Sequence, residues 1–271
     1  MFIDTHIHLT EECYQGDLAQ VLREAWEAKV TSVIIPGCDL PSSLKAAEIS
    51  ASKADSGGPR LFPAVGFHPH EAMKFDSESL SALNKLLSSR PKPVAVGEIG
   101  LDYHYNFSPP EIQQDVFRRQ IRLAREWELP LILHCREAEE DLFGILEEER
   151  ASECGGVVHC FSGNRAWAEK FLDKGYYLGI TGVVTFSKSE ELRSVVRSAP
   201  LSRLLTETDG PYLVPQPHRG KIKRNVPSFI PLVVTKIAEL KELSQEKTAA
   251  VLLENARRLF RLEGNEVASI G

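Results

Sequence analysis

Short runs of β-forming residues alternate with longer amphipathic stretches along nearly the whole chain, and this alternation is the strongest constraint on the fold. Eight strands are predicted, at Phe2–His6, Thr31–Pro36, Leu61–Val65, Val94–Glu98, Leu131–His134, Val157–His159, Tyr176–Ile180 and Leu204–Thr208. Apolar residues at helical spacing predict helices in the intervals, at Leu18–Lys29, Leu80–Ser88, Glu111–Glu128, Ala138–Glu149, Arg165–Asp173 and Glu190–Arg197. Because strands and helices alternate, the sheet should be parallel, and eight such units predict an α/β fold, a single-domain (β/α)8 TIM barrel.

The main alternative is an open, doubly wound sheet. That fold commonly carries a G-x-G-x-x-G turn after its first strand, and the sequence has none there. The length of 271 residues is close to the roughly 250 of a typical barrel, and no linker divides the chain. We therefore expect one barrel domain over residues 1–263, followed by a flexible tail at 264–271.

Two patterns predict where helices begin. Ser108 is the predicted N-cap of the longest helix, with a proline in the first helical position and Glu111 as the capping-box acid. Ser187 and Glu190 form a second predicted capping box.

The formal net charge of −6 excludes a protein that coats a nucleic acid duplex by general electrostatics. An anionic substrate must instead be held locally, by a few basic side chains or by metal. The N-terminus lacks the pattern of a secretory signal, and no apolar run approaches the roughly 18 residues of a membrane span. We therefore expect a cytoplasmic monomer with free thiols, without membrane contact or an obligatory protein partner.

Residues able to bind a metal follow several of the predicted strands. His6 and His8 leave the first strand as H-x-H, and residues two apart in extended chain point the same way, so both imidazoles can reach one ion. The same chemical types return at the ends of four other apolar runs, at Glu98, His134, His159 and Asp209. Barrel active sites are built where the carboxyl ends of several strands meet, so these residues predict a metal site at that face.

Cys135 and Cys160 each follow one of these histidines directly. Strand alternation is expected to turn both thiols away from the metal, which leaves packing as their predicted role.

Seven stretches of the sequence resemble, in their order along the chain, the TatD-type metal-dependent DNase family of the amidohydrolase-like superfamily. They are MFIDTHIHL, GFHPH, VGEIGLDYHY, LILHCREA, VVHCFSG, TETDGPYL and NARRLF, and they extend from residue 2 to about residue 260. The resemblance implies a β/α barrel that hydrolyses phosphodiester bonds. It also implies that two divalent metal ions are bound by the matching residues His6, His8, Glu98, His134, His159 and Asp209.

Within that set, one ion is expected at His6, His8 and Asp209, and the other at His134 and His159. Glu98 lies between them and is expected to bridge, since paired catalytic metals are about 3.5–4 Å apart. Zinc, manganese, magnesium or another divalent transition metal would suit imidazole and carboxylate ligands. Barrels similar to dihydroorotase or phosphotriesterase commonly have a carboxylated lysine where Glu98 stands, so this residue favours the DNase-like branch.

Other residues near these ligands are predicted to act in catalysis. Asp209 should orient the attacking water and accept its proton. Glu207, two residues earlier, should face the site as a supporting or additional ligand. Arg136 carries a planar guanidinium that suits a phosphate oxygen, with an ion pair to a nearby glutamate as the alternative.

Substrate contacts are predicted outside the ligand set. His68 could contact substrate or stabilise its turn, and Tyr103 could position a nucleotide or, with Asp102, a ligand histidine. The loop 215–225 carries a basic cluster of Arg219, Lys221, Lys223 and Arg224. Such residues would contact phosphates with little base specificity, unless the loop is merely solvated.

The sequence thus predicts a divalent-metal-dependent phosphodiester hydrolase. We expect a deoxyribonuclease of the 3′–5′ exonuclease type that acts on single-stranded or frayed DNA with metal-activated water, because a narrow barrel mouth suits a strand end. Two alternatives remain. One is an amidohydrolase or esterase acting on a small amide, lactone or D-aminoacyl ester at the same metals, and the other is a metal-containing scaffold that binds partners.

Overall fold

The computed structural model of the protein describes residues 1–52 and 57–262. Within these residues, eight strands lie where the alternation of the sequence predicts them. They are β1 (Phe2–Asp4), β2 (Val30–Ile35), β3 (Arg60–Pro63), β4 (Val96–Asp102), β5 (Leu131–Arg136), β6 (Gly156–Val158), β7 (Tyr177–Ile180) and β8 (Leu204–Thr206). The largest difference is at β4, which continues to Asp102 instead of ending at Glu98.

All neighbouring strands pair in parallel, in the order β1-β2-β3 and β4-β5-β6-β7-β8. The two groups meet at two seams. Val65 pairs with Val96 where β3 and β4 adjoin, and Ile7 pairs with Gly210 just after β1 and β8. The strands therefore follow one another in the order of a β/α barrel, and backbone hydrogen bonds cross both seams, for example from the N–H of Val94 to the oxygen of Pro63 and from the N–H of Thr5 to the oxygen of Thr206.

Helices fill the intervals between the strands and the last part of the described chain. They are α1 (Glu12–Gln15), α2 (Leu18–Glu27), α3 (Leu40–Ser52), α4 (Ser77–Leu87), α5 (Pro110–Glu126), α6 (Glu139–Glu148), α7 (Arg165–Asp173), α8 (Glu190–Ser198), α9 (Ile230–Lys241) and α10 (Gln245–Phe260). The predicted helices correspond to α2 and to α4 through α8. The tail predicted at 264–271, like residue 263, lies outside the described residues.

The interior of the barrel is a compact apolar cluster to which every strand or its immediate neighbour contributes one side chain. The contributors are Ile3, Ile34, Ala64, Ala95, Ile132, Val157, Tyr177 and Leu205. Apolar residues of α10, among them Leu253 and Phe260, belong to the same cluster. A second and larger cluster packs the helices against the outside of the strands. The filled interior leaves the carboxyl ends of the strands as the place for a site.

Both predicted helix caps were wrong. Helix α5 has Pro109 as its N-cap and no side-chain cap, because Ser108 lies one position too early. The hydroxyl of Ser108 instead donates to the backbone oxygen of His70 over 3.0 Å. Helix α8 begins after Ser189, again without a side-chain cap, so Ser187 is too far from the first helical N–H groups to bond to them.

Candidate metal centre

The six residues predicted as metal ligands lie together at the carboxyl ends of five strands. They are carried by β1, β4, β5, β6 and β8 or by the residues that follow those strands: His6, His8, Glu98, His134, His159 and Asp209. The backbone N–H of Asp209 donates to the backbone oxygen of His6 over 2.9 Å. This hydrogen bond ties the chain after β8 to the chain after β1, across a seam of the barrel.

Glu98 is buried at the middle of the cluster, and its two carboxylate oxygens face different imidazoles. Oε2 lies 3.3 Å from His6 Nε2 and 3.6 Å from His8 Nε2. Oε1 lies 2.8 Å from both His134 Nδ1 and His159 Nε2. The carboxylate therefore stands between two groups of nitrogen donors, as a bridging ligand would.

The donors on the Oε2 side have the spacing of ligands around one ion. Ligand atoms about 2.0–2.2 Å from a tetrahedral metal are about 3.3–3.6 Å from one another. His6 Nε2 and His8 Nε2 are 3.2 Å apart. Asp209 Oδ1 is 3.8 Å from the nitrogen of His6 and 3.4 Å from that of His8. Together with Oε2 of Glu98, these atoms fit a divalent metal ion.

The donors on the Oε1 side form a second group. His134 Nδ1 and His159 Nε2 are 3.3 Å from each other. His68 Nε2 is 3.4 Å from the same oxygen of Glu98, so a third imidazole faces this position. His68 also accepts a hydrogen bond at Nδ1 from the backbone of His70 over 3.1 Å, which caps the 3₁₀ helix Pro69–Lys74. His68 therefore both stabilises its turn and faces the second group of donors.

The carboxylates and imidazoles of the cluster shift one another's pKa values. Burial raises the pKa of Glu98, but the surrounding imidazoles outweigh that effect and hold its pKa well below the usual range. Burial lowers the pKa of His6 to about 4 and that of His68 to about 3, so both rings are neutral at pH 7. Burial also lowers the pKa of His159, yet the adjacent carboxylates raise it to about 9. The proton on His159 would have to leave when a metal binds.

Two buried carboxylates lie behind the donors, and one of them, Asp102, orients an imidazole by a hydrogen bond. Asp102 Oδ2 lies 3.0 Å from His134 Nε2, the ring nitrogen that faces away from Glu98. Glu207 Oε1 lies 3.7 Å from His159 Nδ1 and accepts a hydrogen bond from the backbone of Cys160. Burial raises the pKa of Glu207 to about 8. Glu207 therefore lies behind His159 without a hydrogen bond to its ring.

A cavity of about 720 Å³ opens over the cluster. Arg136 lines it and stacks over the ring of Tyr105, with 4.7 Å between the guanidinium carbon and the ring centroid. Over residues 1–52 and 57–262, no carboxylate lies within ion-pair distance of Arg136. The nearby glutamates considered as its alternative partners are thus not engaged with it.

Three cysteines also line the cavity. Cys38 Sγ is 3.6 Å from His8 Nδ1 and 3.9 Å from Glu98 Oε2, a position that no sequence pattern indicated. Cys135 and Cys160 also border this cavity, but neither thiol belongs to the groups of described side chains whose donor atoms lie close enough together to hold one ion. Strand β6 ends before Cys160, whose φ of 44° departs from extended backbone, so alternation does not apply to it. Cys135 does pack partly against the core.

Several predicted substrate contacts lie away from the cavity lining. The hydroxyl of Tyr103 donates to Asp141 over 2.8 Å, which directs it toward α6, and Tyr105 takes the place at the cavity. Of the described residues that line the cavity, none comes from 215–225. In that loop, Arg224 makes a two-pronged ion pair with Asp17, at 2.6 and 2.9 Å. The remaining basic side chains, Arg219, Lys221 and Lys223, are exposed.

Proteins of similar sequence carry the name of a metal-dependent hydrolase or a nuclease. The metal-dependent hydrolase YabD of Bacillus subtilis is 44% identical over 262 residues, which cover 97% of this chain and 100% of the relative. The 3′-5′ ssDNA/RNA exonuclease TatD of Erwinia tasmaniensis is 37% identical over 262 residues, which cover 96% of this chain and 99% of the relative.

Solved structures show the same fold. YJJV, a TatD homologue from Escherichia coli K12, superposes with a TM-score of 0.87 and 33% identity, covering 97% of this chain and 98% of its own. A TatD family hydrolase from Entamoeba histolytica gives a TM-score of 0.88 at 28% identity, covering 95% of this chain and 97% of its own. The sequence profile of the TatD related DNase family matches residues 3–261, and the chain belongs to that family.

Proposed function

We propose that this protein is a divalent-metal-dependent phosphodiesterase that removes nucleotides from the 3′ ends of single-stranded or frayed DNA. The observation that carries the proposal is the position of Glu98, whose two oxygens each face a separate group of imidazoles. Phosphatases, polymerases and nucleases use pairs of divalent ions, and Glu98 with these imidazoles would hold such a pair here.

The donor groups suggest how two ions would be held. His6, His8 and Asp209 would bind one ion. The other would be bound by His134 and His159, with His68 close enough to take part. The mixture of imidazole and carboxylate suits zinc, manganese or another divalent transition metal better than magnesium. Bound ions would supply a water molecule of lowered pKa and positive charge opposite the phosphate.

The remaining roles fall to residues at the cavity. Burial raises the pKa of Asp209, but hydrogen bonding from His8 and the neighbouring imidazoles hold it below its usual value, so Asp209 is ionised and able to orient water and accept its proton. Arg136, whose guanidinium is free of carboxylate partners within the described chain, would contact the nonbridging oxygens of the phosphate.

The cavity supports an end of a strand as the substrate. Its volume of about 720 Å³ is within the range of pockets that hold small ligands, roughly 300–1,000 Å³, and is too small for a duplex interior. The exonuclease of Erwinia tasmaniensis is named for both single-stranded DNA and RNA, which supports including RNA among the substrates.

The setting of the enzyme is part of the proposal. We propose one domain over residues 1–263 that acts as a monomer in the cytoplasm. Five cysteines are unpaired, as expected for a reducing compartment. In the described part of the chain, no helix has the length and apolar character needed to cross a membrane.

The test is an assay panel on protein stripped of metal and reloaded with one divalent metal at a time. The substrates are end-labelled single-stranded DNA, blunt duplex DNA, RNA, a lactone and an amide. We expect mononucleotides from the 3′ end of single strands. Glu98→Gln should lower the activity by more than the roughly 10- to 100-fold that is typical when a residue behind the metal ligands is replaced. The exposed Glu137→Gln is the matched control. Turnover of the lactone or amide alone would replace the proposal with an amidohydrolase, and metal binding without any turnover would favour a scaffold.

A further inference from the structure

Two exposed aromatic rings stand at the rim of the cavity. Tyr105 and Phe107 follow β4, and their rings stack with 5.4 Å between centroids and an interplanar angle of 11°. They are 49% and 64% exposed, and Tyr105 lines the cavity itself. Adjoining aromatic rings left open to water beside a polar site are typical of a surface that binds a ligand.

The segment that carries the two rings is tied to His134 through one buried carboxylate. Asp102 Oδ1 accepts a hydrogen bond from the backbone N–H of Tyr105 over 2.9 Å, while its Oδ2 lies 3.0 Å from His134 Nε2. His70 Nε2 is 2.9 Å from the same Oδ2, and its ring meets that of Phe107 edge-on at 4.8 Å. The aromatic pair is therefore placed at a set position relative to His134.

A cationic side chain, that of Arg136, lies beside the aromatic pair. The guanidinium of Arg136 lies over the ring of Tyr105, which holds a planar group of N–H donors at the cavity edge. Tyr212 also lines the cavity, and its ring lies 6.4 Å from the ring of His8. Tyr212 is 55% exposed. An anionic group that reaches the metal centre thus meets aromatic ring faces and one guanidinium on its way in.

We propose that Tyr105 and Phe107 form a stacking platform for an unpaired base next to the scissile phosphate, and that Arg136 contacts a phosphate of the same strand. This inference rests on the proposed function and narrows its substrate to strand ends whose bases are unstacked. Stacking uses ring faces, which every base has, so the platform would be tolerant of sequence. It would also provide affinity that a chain of net charge −6 cannot obtain from long-range attraction.

The test compares pairs of oligonucleotides. The two members of a pair are identical except that one has a base, and the other is abasic, at the 3′-terminal or the penultimate nucleotide. For the unaltered protein, we expect kcat/KM to favour the base by roughly 5- to 100-fold at one of these positions. Phe107→Ala and Tyr105→Ala should bring this ratio close to one, and Phe107→Trp should restore it. Trp26→Ala removes an aromatic residue that is 48% exposed on α2 and should leave the ratio as it was.

Binding to metal-free protein separates this inference from the proposed function. A 2-aminopurine base at the same terminal position should be quenched by the unaltered protein and by Phe107→Trp, and much less by Phe107→Ala. Equal binding of base-containing and abasic strands by the unaltered protein would overturn the platform even if hydrolysis is observed. Base-dependent binding that Phe107→Ala removes would support the platform even if no phosphodiester is cleaved.

Discussion

At the scale of single residues, the orientation of the imidazoles depends on carboxylates that do not face the metal positions. Asp102 is the clearest case, because one of its oxygens bonds to both His134 and His70. Asp102→Asn should lower metal affinity by about 10- to 100-fold without unfolding the protein. Competition with a fluorescent chelator measures this. Asp141→Asn, which removes a carboxylate charge outside the donor cluster but keeps an oxygen that can accept from the Tyr103 hydroxyl, is the control, and equal affinities of the two variants would contradict the prediction.

Asp209 is expected to act on the nucleophile as well as on the metal. Replacing its carboxylate by an amide removes the proton acceptor while keeping an oxygen that can contact an ion. At saturating metal, Asp209→Asn should therefore lose about 10²- to 10⁴-fold in kcat with an unchanged circular dichroism spectrum. Turnover near that of the unaltered protein would remove Asp209 from this role.

The ligand residues could be predicted from the sequence because each stands near the end of an apolar run, where strand direction and barrel topology fix its position. Cys38 and Tyr105 could not. Both lie in loops, where no periodicity fixes the direction of a side chain. The prediction at Tyr103 missed Tyr105, because nothing in GLDYHY shows which ring turns toward the cavity.

At the scale of elements, α5 is joined to the end of α6 by an ion pair. Arg122 donates two hydrogen bonds to Glu149, at 2.6 and 2.8 Å, and Arg118 lies 3.5 Å from the same carboxylate. Because Arg122 is 61% exposed and solvent screens the pair, Glu149→Gln should lower the free energy of unfolding by only about 1 kcal/mol at pH 7. Glu148 is the neighbouring residue and is 63% exposed, so Glu148→Gln should lower the free energy of unfolding by less.

The ion pair between Arg122 and Glu149 should make the free energy of unfolding depend on pH. The hydrogen bond from Arg122 lowers the pKa of Glu149 in the folded protein. The stabilisation is therefore complete above the ordinary glutamate pKa of about 4.3 and is lost as the pH falls through the lower folded-state pKa. Urea unfolding should show a difference between Glu149→Gln and the unaltered protein at pH 7 that shrinks as the pH is lowered below the ordinary glutamate pKa. A constant difference would refute the assignment.

Strand positions followed from the sequence, but some strand ends did not. β4 and β5 both continue past their apolar runs, because Asp102 pairs with Arg136 across the two strands. Such pairing is a tertiary effect and leaves no trace in local hydrophobicity. At Gly100 the strands come so close that an added Cβ would lie 2.0 Å from the backbone oxygen of His134, and its φ of 143° also favours glycine. Helix caps failed because a shift of one or two residues removes the geometry that capping requires.

At the scale of the whole molecule, the acidic net charge makes the contribution of the basic loop measurable. Lys221→Ala with Lys223→Ala should weaken oligonucleotide binding and reduce the salt slope by roughly 0.7 for each phosphate that these lysines no longer neutralise. Arg224 is paired with Asp17, so Arg224→Ala should lower stability instead.

Binding is measured on metal-free protein over a series of salt concentrations, with Lys174→Ala and Lys247→Ala together as the charge-matched control. Hydrolysis of a small chromogenic phosphodiester should be the same in both double variants. An unchanged salt slope would show that the loop is only solvated, and equal losses on both substrates would indicate damage to the metal centre.

The arrangement of the ligands across the seams has a thermodynamic consequence. His6 and His8 follow β1 of the three-stranded group, whereas Glu98 lies on β4 of the five-stranded group. An ion shared by them would cross-link the two sheets in addition to the backbone hydrogen bonds at the seams, and the unfolded chain could not offer the same set of donors. Metal binding is then coupled to folding, and the unfolding temperature should rise with the logarithm of the free metal concentration in metal-buffered solution. A flat response would show that the barrel closes without its ions. A rising unfolding temperature would show that the ions hold the two sheets together, so that a chelator would lower the stability of the protein as well as abolish its activity.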